Sequence, residues 1–236
     1  MPSLIIFDLD DTLIGNTGTI DGLWRRACLE AGNGSLPDVD AAAEKIIMAG
    51  RVYWSDAARH REGRLNLPQI RRVLCRQALE EAGITDTALS ERIAHHYGFL
   101  RDETTIVLPG ALEALDFLRK KGIRLALITN GAADMQRDKL ARFALEAYFE
   151  RIVVEGEFGA GKPEPDGFLH VMSELDEKPE NTWMAGDDLE RDIAPCRALG
   201  IFSIWVDARG RGLPQHSIVK PDRIIRSVAE LPGLLE

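Results

Sequence analysis

Five short segments of the sequence are almost continuously apolar, and they constrain the fold more than any other feature. Each is followed by a stretch long enough to form a helix. Strands that alternate with helices form parallel sheets, and strands covered on both faces are apolar throughout. The sequence therefore predicts an α/β fold with a doubly wound parallel sheet. The segments are Leu4 to Phe7, Ile123 to Ile128, Arg151 to Val154, Thr182 to Ala185 and Ile201 to Val206.

The stretch between Gly15 and Thr105 carries helical patterns and no convincing strand. In its first helix, apolar residues recur at spacings of three and four from Ile20 to Ala31. We therefore predict an α/β core formed by residues 1–14 and 106–236, and an all-helical domain, residues 15–105, inserted after the first strand. Further helices are predicted from about Val39 to Ala49, Val52 to Arg61, Pro68 to Ala82 and Asp86 to Leu100.

Carboxylates directly follow two of the apolar segments. Asp8 and Asp10 follow the first, and Asp187 follows the fourth. Because open α/β sheets bind ligands at the carboxyl ends of their strands, these side chains are expected to meet there. Clustered carboxylates raise one another's pKa unless a cation lies among them, and oxygen ligands without nearby His or Cys favour Mg²⁺ over zinc. The sequence therefore predicts a magnesium site.

Two other segments offer groups that suit an anion. Thr129, Asn130 and Gly131 supply a hydroxyl, an amide and a flexible backbone just before a predicted helix, and a helix N-terminus binds phosphate through free N–H groups. Lys162 lies on a glycine-rich loop braced by prolines. Taken alone, the first segment is equally compatible with an ordinary helix cap. A lysine is usually a solvated surface residue, and the rigid loop makes Lys162 a candidate to neutralise phosphate charge.

Four motifs in order resemble those of the haloacid dehalogenase superfamily. They are DLDDT at Asp8 to Thr12, ITNG at Ile128 to Gly131, GKPEP at Gly161 to Pro165 and GDDLERD at Gly186 to Asp192. The resemblance covers the predicted core. It also implies that the inserted helical domain is a type 1 cap, as in the phosphatases of subfamily IA.

The resemblance implies a role for each acid of the predicted magnesium site. Asp8 would be the nucleophile that forms an aspartyl-phosphate, and Asp10 would be the general acid and base. Mg²⁺ would be held by Asp8, the backbone carbonyl of Asp10 and Asp187. Lys162 would supply a second positive charge beside the phosphate.

The resemblance also implies roles for the residues around these groups. Thr129 and Asn130, together with Lys162, would bind the phosphoryl oxygens. Three further residues would contact the residues that bind the metal and the phosphate, without being direct ligands themselves: Thr12, Asp188 and Asp192. Asp192 would orient the lysine, while Asp188 would be either a water-mediated ligand or an acceptor outside the metal site.

Asp10 also separates the activities known in the superfamily. Phosphatases use this second Asp to protonate the leaving alcohol, whereas a halide leaves without a proton. The resemblance therefore implies Mg²⁺-dependent hydrolysis of a small phosphate monoester. Gln136, Lys139 and Leu140 resemble the same positions in small-metabolite phosphatases with helical caps. The alternatives are a phosphomutase of the same fold, a 2-haloacid dehalogenase and a non-catalytic binding protein that keeps the fold.

The charge of the chain limits its partners. With 29 basic and 38 acidic residues the formal net charge is −9, so we expect neither nucleic acid nor membrane as a partner. The first ten residues, MPSLIIFDLD, lack the basic start and long apolar run of a signal peptide, so a cytoplasmic protein is expected. Its partner would be a small-molecule phosphate monoester, and the protein would be a monomer or a homodimer.

Overall fold

The computed structural model describes residues 1–235, which form two compact units. The core unit comprises Met1–Gly15 and the chain from Ile106 onward, and the helical unit comprises Asn16–Thr105. Each unit buries its own apolar side chains. Within residues 1–235, the helices are too short or too polar to cross a membrane.

Six parallel strands form the sheet of the core unit. The strands of the described chain are β1 (Leu4–Phe7), β2 (Ile14–Asn16), β3 (Thr105–Val107), β4 (Arg124–Thr129), β5 (Arg151–Val154), β6 (Thr182–Gly186), β7 (Phe202–Val206) and β8 (Arg223–Ile225). Their order in the sheet is β5-β4-β1-β6-β7-β8, and every neighbouring pair is parallel. The predicted parallel α/β sheet is thereby confirmed. Its central strand is β1, which ends immediately before Asp8.

Five α-helices belong to each unit in residues 1–235. Those of the helical unit are α1 (Ile20–Gly32), α2 (Val39–Ser55), α3 (Ala57–Gly63), α4 (Leu67–Glu80) and α5 (Thr87–Thr104). Those of the core unit are α6 (Ala111–Lys120), α7 (Ala133–Arg142), α8 (Glu155–Phe158), α9 (Asp166–Glu174) and α10 (Ala194–Leu199). The inserted stretch is therefore helical, as the sequence predicts.

Both faces of the core sheet are covered, which explains the unbroken apolar character of its strands. Successive side chains of a strand point to opposite faces. Ile5 and Phe7 accordingly pack in a cluster with α6, while Leu4 and Ile6 pack in a second cluster with α9. Burial on both faces is the property of a doubly wound sheet.

The register of β1 brings the strand ends together. Phe7 is paired with Leu127 on β4 and with Ala185 on β6. All three strands run in the same direction, so they deliver the residues that follow them to one edge of the sheet. Asp8, Thr129 and Asp187 therefore lie at neighbouring strand ends.

The helical unit has its own core. Apolar residues of α1, α2, α4 and α5 form one buried cluster, and within it the rings of Trp24 and Tyr97 stack with their centroids 3.8 Å apart. Asp56 ends α2, and its side chain accepts a hydrogen bond from Arg59 N at the start of α3. The predicted break near Gly50 is wrong, because α2 continues through this glycine to Ser55.

Three short strands were not predicted. β2 and β3 pair in a two-stranded ribbon at the two places where the chain passes between the units. β8 has three residues, two of them exposed. Runs of three residues are too short to show a strand period, so the sequence carries no clear signal for them.

We predict that the buried cluster in which Leu4 and Ile6 pack with α9 determines the stability of the core unit. Phe168 is fully buried there, whereas its neighbour Leu169 is 49% exposed. Phe168→Ala should lower the free energy of unfolding by about 3–5 kcal/mol, because it leaves a cavity. Leu169→Ala should change it by less than about 0.5 kcal/mol. Urea unfolding followed by circular dichroism measures both, and equal losses would contradict the packing described.

Candidate active site

Asp8 is held at the carboxyl end of β1 by its backbone and by its side chain. Its N–H donates to the carbonyl oxygen of Ala185 at 3.0 Å, which extends the pairing with β6 by one residue. Thr12 donates from Oγ1 to Asp8 Oδ2 at 3.1 Å. Between them lies Asp11, whose φ of 60° is left-handed and turns the chain back toward the strand. One oxygen of the buried Asp8 carboxylate is thus fixed by its own loop.

Lys162 fixes the other oxygen of Asp8. Its Nζ lies 2.5 Å from Asp8 Oδ1 and 2.6 Å from Asp192 Oδ1, and the side chain is only 3% exposed. Burial alone would lower the pKa of this lysine, but the adjacent Asp192 and Asp8 raise it above its usual value. The ammonium therefore stays charged between two carboxylates.

Asn130 positions the backbone of Lys162. The Asn130 side chain donates from Nδ2 to the carbonyl oxygen of Lys162 at 2.7 Å and accepts from Lys162 N at 2.8 Å. This pair of hydrogen bonds joins the end of β4 to the lysine loop. The side-chain amide of Asn130, predicted to bind phosphate, is thus engaged within the core.

Glu155 supports the same region and was not predicted as a site residue. Its Oε2 accepts a hydrogen bond from Gly131 N at 2.9 Å, and it is buried directly after β5. A Cβ on Gly161 would overlap the Glu155 carboxyl group, so this position of the lysine loop requires glycine. An acid directly after the apolar run that ends at Val154 is the sequence signal that could have revealed it.

Asp192 lies behind the lysine. It belongs to a π-helical turn, Leu189–Ile193, and its Oδ2 accepts a hydrogen bond from Asp188 N at 3.0 Å. Gly186 makes room for it, since a Cβ there would overlap the Asp192 carboxylate. Its ion pair with Lys162 is the contact expected of a residue that orients the lysine.

Three acidic side chains come together beside the lysine. One carboxylate oxygen from each of Asp8, Asp187 and Asp192 lies within 4.8 Å of the other two. Burial raises the pKa of Asp8 to about 7 even though Lys162 opposes the shift. Burial, followed by the charges of Asp8 and Asp192, raises the pKa of Asp187 to about 9. If all three acids were ionised, the cluster would carry more negative charge than one ammonium can balance, which together with burial is why these pKa values are raised.

The chemistry of this cluster fits Mg²⁺. Hard divalent cations bind carboxylate oxygens, and a cation among crowded carboxylates removes the cost of ionising them together. Asp187 is held in place through its backbone, because Trp205 Nε1 donates to its carbonyl oxygen at 2.7 Å. The role of the Asp10 carbonyl as a further ligand stays a prediction.

Asp188 is used differently from its neighbour Asp187. Its Oδ1 accepts hydrogen bonds from Glu190 N at 3.0 Å and Arg191 N at 2.8 Å, and its carboxylate pairs with the Arg191 guanidinium. It therefore caps the helical turn that carries Asp192. It is absent from the carboxylate cluster found in the described chain.

The Asp10 side chain contacts two residues of α7. Lys139 Nζ lies 2.8 Å from Asp10 Oδ1 and 2.9 Å from Oδ2, and Gln136 Nε2 donates to Oδ2 at 3.0 Å. Gln136 also donates to Thr129 Oγ1. Two predicted site residues, Asp10 and Thr129, are thus connected through Gln136. The sequence singled out Gln136 and Lys139 only by resemblance and gave them no role.

The chain is similar to known hydrolases over most of its length. A family model described as haloacid dehalogenase-like hydrolase matches residues 2–200. Phosphoserine phosphatase of Thermus thermophilus is 31% identical over 250 aligned positions, which cover 97% of each chain. N-acylneuraminate-9-phosphatase of Mus musculus is 32% identical over 237 positions, covering 98% of this chain and 93% of that protein.

The fold is shared with solved structures. The magnesium-bound YfnB of Bacillus subtilis superposes with a TM-score of 0.76 at 22% sequence identity. The match covers 100% of this chain and 99% of that one. At this identity the likeness establishes a common fold.

We predict that Mg²⁺ stabilises the folded protein through Asp187. A ligand that binds only the folded state adds about 2.7 kcal/mol at a hundredfold excess over its Kd, so Mg²⁺ should raise the melting temperature of EDTA-treated protein. Asp187→Asn should abolish most of this rise. Scanning calorimetry measures the effect without reference to activity.

Asp188→Asn is the matched control for this measurement. An amide oxygen can accept the two backbone hydrogen bonds of Asp188, and Asn caps helices as well as Asp does. This variant should therefore keep the magnesium-dependent rise. If Asp187→Asn kept it as well, the carboxylate cluster would not be the metal site.

Proposed function

The chain belongs to the haloacid dehalogenase-like hydrolases, and we propose that it hydrolyses a small phosphate monoester through an aspartyl-phosphate on Asp8. In the first step an Asp8 oxygen bonds to phosphorus, the ester P–O bond breaks, and Asp10 gives a proton to the leaving oxygen. In the second step water bonds to phosphorus and gives a proton to Asp10, and the P–O bond to Asp8 breaks. The products are an alcohol and inorganic phosphate.

The contact of Asp8 with Lys162 is the observation that carries this proposal. A carboxylate repels the phosphate dianion that it must attack, so the attack needs positive charge beside it. Lys162 supplies one charge at 2.5 Å from Asp8 Oδ1, and Thr12 holds the second oxygen. When bound by Asp8, Asp187 and the Asp10 carbonyl, Mg²⁺ would supply the other charge and neutralise the phosphoryl oxygens.

Thr129 is the donor best suited to the phosphoryl group. The Asn130 side chain and Gly131 N–H already have partners in the core. Thr129 lies at the end of β4, the strand that pairs with β1, and its hydroxyl accepts a hydrogen bond from Gln136. Preorganised donors of this kind stabilise the charge that develops on the phosphoryl oxygens in the transition state.

Asp10 favours phosphate chemistry over dehalogenation. An alcohol leaving group needs a proton and a halide does not, so an acid at this position serves only the former. About half of its side chain is exposed, so a substrate oxygen can reach it. The names of the Thermus and mouse relatives support the same activity.

A panel of phosphate monoesters tests the proposal directly. The purified protein should release inorganic phosphate from at least one ester, and the panel should include phosphoserine and N-acylneuraminate 9-phosphate. Mg²⁺ should activate, and Ca²⁺ should support little turnover because its looser coordination misplaces the nucleophile. Undiminished activity after exhaustive EDTA treatment would contradict the metal requirement, and an inert protein would contradict the proposed function.

Substitution of the two aspartates should separate their roles. Asp8→Asn removes the attacking carboxylate, so activity on every ester should vanish. Asp10→Asn should lower the steady-state rate by about 10²–10⁴-fold. With p-nitrophenyl phosphate, whose leaving group needs little protonation, the first step should survive and a pre-steady-state burst should appear.

The loss for Asp10→Asn should be larger on an alkyl phosphate, whose leaving oxygen needs the proton. Rapid-quench kinetics on both esters measures the difference. Equal losses without a burst would reject the role given to Asp10. The exposed Asp138 on α7 offers a control, since Asp138→Asn makes the same chemical change outside the carboxylate cluster.

A further inference from the structure

Gln136 bridges two groups to which the proposed function gives different tasks. Its side-chain amide donates to Asp10 Oδ2 at 3.0 Å and to Thr129 Oγ1, and its Oε1 accepts from Lys139 Nζ at 2.8 Å. The residue is 3% exposed, although the other polar side chains of its helix, α7, are partly or fully exposed. A buried amide with all these contacts is held in one orientation.

Lys139 determines that orientation. An ammonium group can only donate, so the atom of Gln136 that faces Lys139 must be the oxygen. The amide nitrogen then faces Asp10 and Thr129, and its two hydrogens serve one residue each. Lys139 also contacts both oxygens of Asp10, so the same lysine holds the acid and orients the amide.

The orientation of Gln136 decides what the Thr129 hydroxyl can do. A hydroxyl has one hydrogen to donate. Because Thr129 Oγ1 accepts from the Gln136 amide, its own hydrogen remains for another acceptor. If the amide were reversed, Thr129 would donate to Gln136 Oε1 instead, and the phosphoryl group would lose that donor.

We infer that Gln136 and Lys139 are positioning residues that couple the acid and base of the reaction to the phosphate donor. This inference rests on the proposed function. Gln136 acts through Thr129 by directing its hydroxyl toward the phosphoryl oxygens. Lys139 acts through Asp10 by holding its carboxyl group and through Gln136 by orienting the amide. Neither residue needs to touch the reacting atoms.

A double-mutant cycle tests the connection between Gln136 and Thr129. The variants are Gln136→Met, Thr129→Val and the two combined, and the readouts are kcat and inhibition by orthovanadate. Each single variant should lose about 10²–10³-fold in kcat, as expected for one oxyanion donor, and should bind orthovanadate more weakly. The loss in the combined variant should be clearly smaller than the product of the two single losses, because in Thr129→Val the Gln136 amide has no hydroxyl to direct and keeps only its contacts with Asp10 and Lys139.

Leaving-group dependence tests the connection between Lys139 and Asp10. Lys139→Met should lower kcat on an alkyl phosphate about tenfold more than on p-nitrophenyl phosphate, since only the alkyl leaving group depends on a well-placed acid. Lys139→Arg should recover most of the loss, because a guanidinium also only donates. Lys120→Met, at an exposed lysine of α6, is the matched control and should leave both rates unchanged.

The possible results separate this inference from the proposed function. If the wild-type protein releases no phosphate from any ester, the proposed function fails. If the wild type is active but the losses in the cycle are additive, or if Lys139→Met lowers both esters equally, the inference is overturned. Melting temperatures of all variants show whether a loss reflects unfolding, and the ratio of the two esters is insensitive to the folded fraction.

Discussion

The buried ion pair of Lys162 with Asp8 and Asp192 is the constraint on which the rest of the core depends. Burying charges is costly unless they are paired and hydrogen-bonded. Each partner is accordingly held by a different part of the chain. Asp8 is held by the strand β1, Lys162 by hydrogen bonds to the Asn130 side chain, and Asp192 by the turn that Asp188 caps. Removing the lysine would leave carboxylates crowded together, and removing either carboxylate would leave the buried ammonium with a single ionic partner.

The same constraint accounts for two glycines. Gly161 allows Glu155 to pack against the lysine loop, and Gly186 allows Asp192 to approach the end of β6. A side chain at Gly186 would displace an acid of the ion pair, and a side chain at Gly161 would displace Glu155, which holds Gly131 N beside it. Close packing around the ion pair thus extends from the charged groups to the backbone.

Much of this arrangement could be predicted from the sequence, because strand ends in a parallel sheet converge. The apolar runs predicted five of the strands, β1 and β4 to β7. The segments that follow these strands include Asp8, Lys162 and Asp187. The family predicted from four motifs is confirmed by the match over residues 2–200. The site roles drawn from that resemblance stay predictions until the aspartate variants are measured.

The contacts that could not be predicted join residues far apart in the chain. Asp10 contacts Lys139 through tertiary packing, and no periodic pattern in the sequence indicates such a contact. The amide of Asn130 could bind a ligand or a neighbouring backbone, and only the structure shows the second. β8 and the β2–β3 ribbon are too short to carry a pattern.

The position of β1 in the sheet has a further consequence for synthesis on the ribosome. This strand emerges before both of its partners, since Leu4 pairs with Arg124 and Thr182. The contiguous helical unit, Asn16–Thr105, can complete its own contacts earlier, since local contacts form faster than distant ones. β1 therefore completes its pairing only after β4 and β6 have been synthesised, and the candidate active site is among the last of the described parts to form.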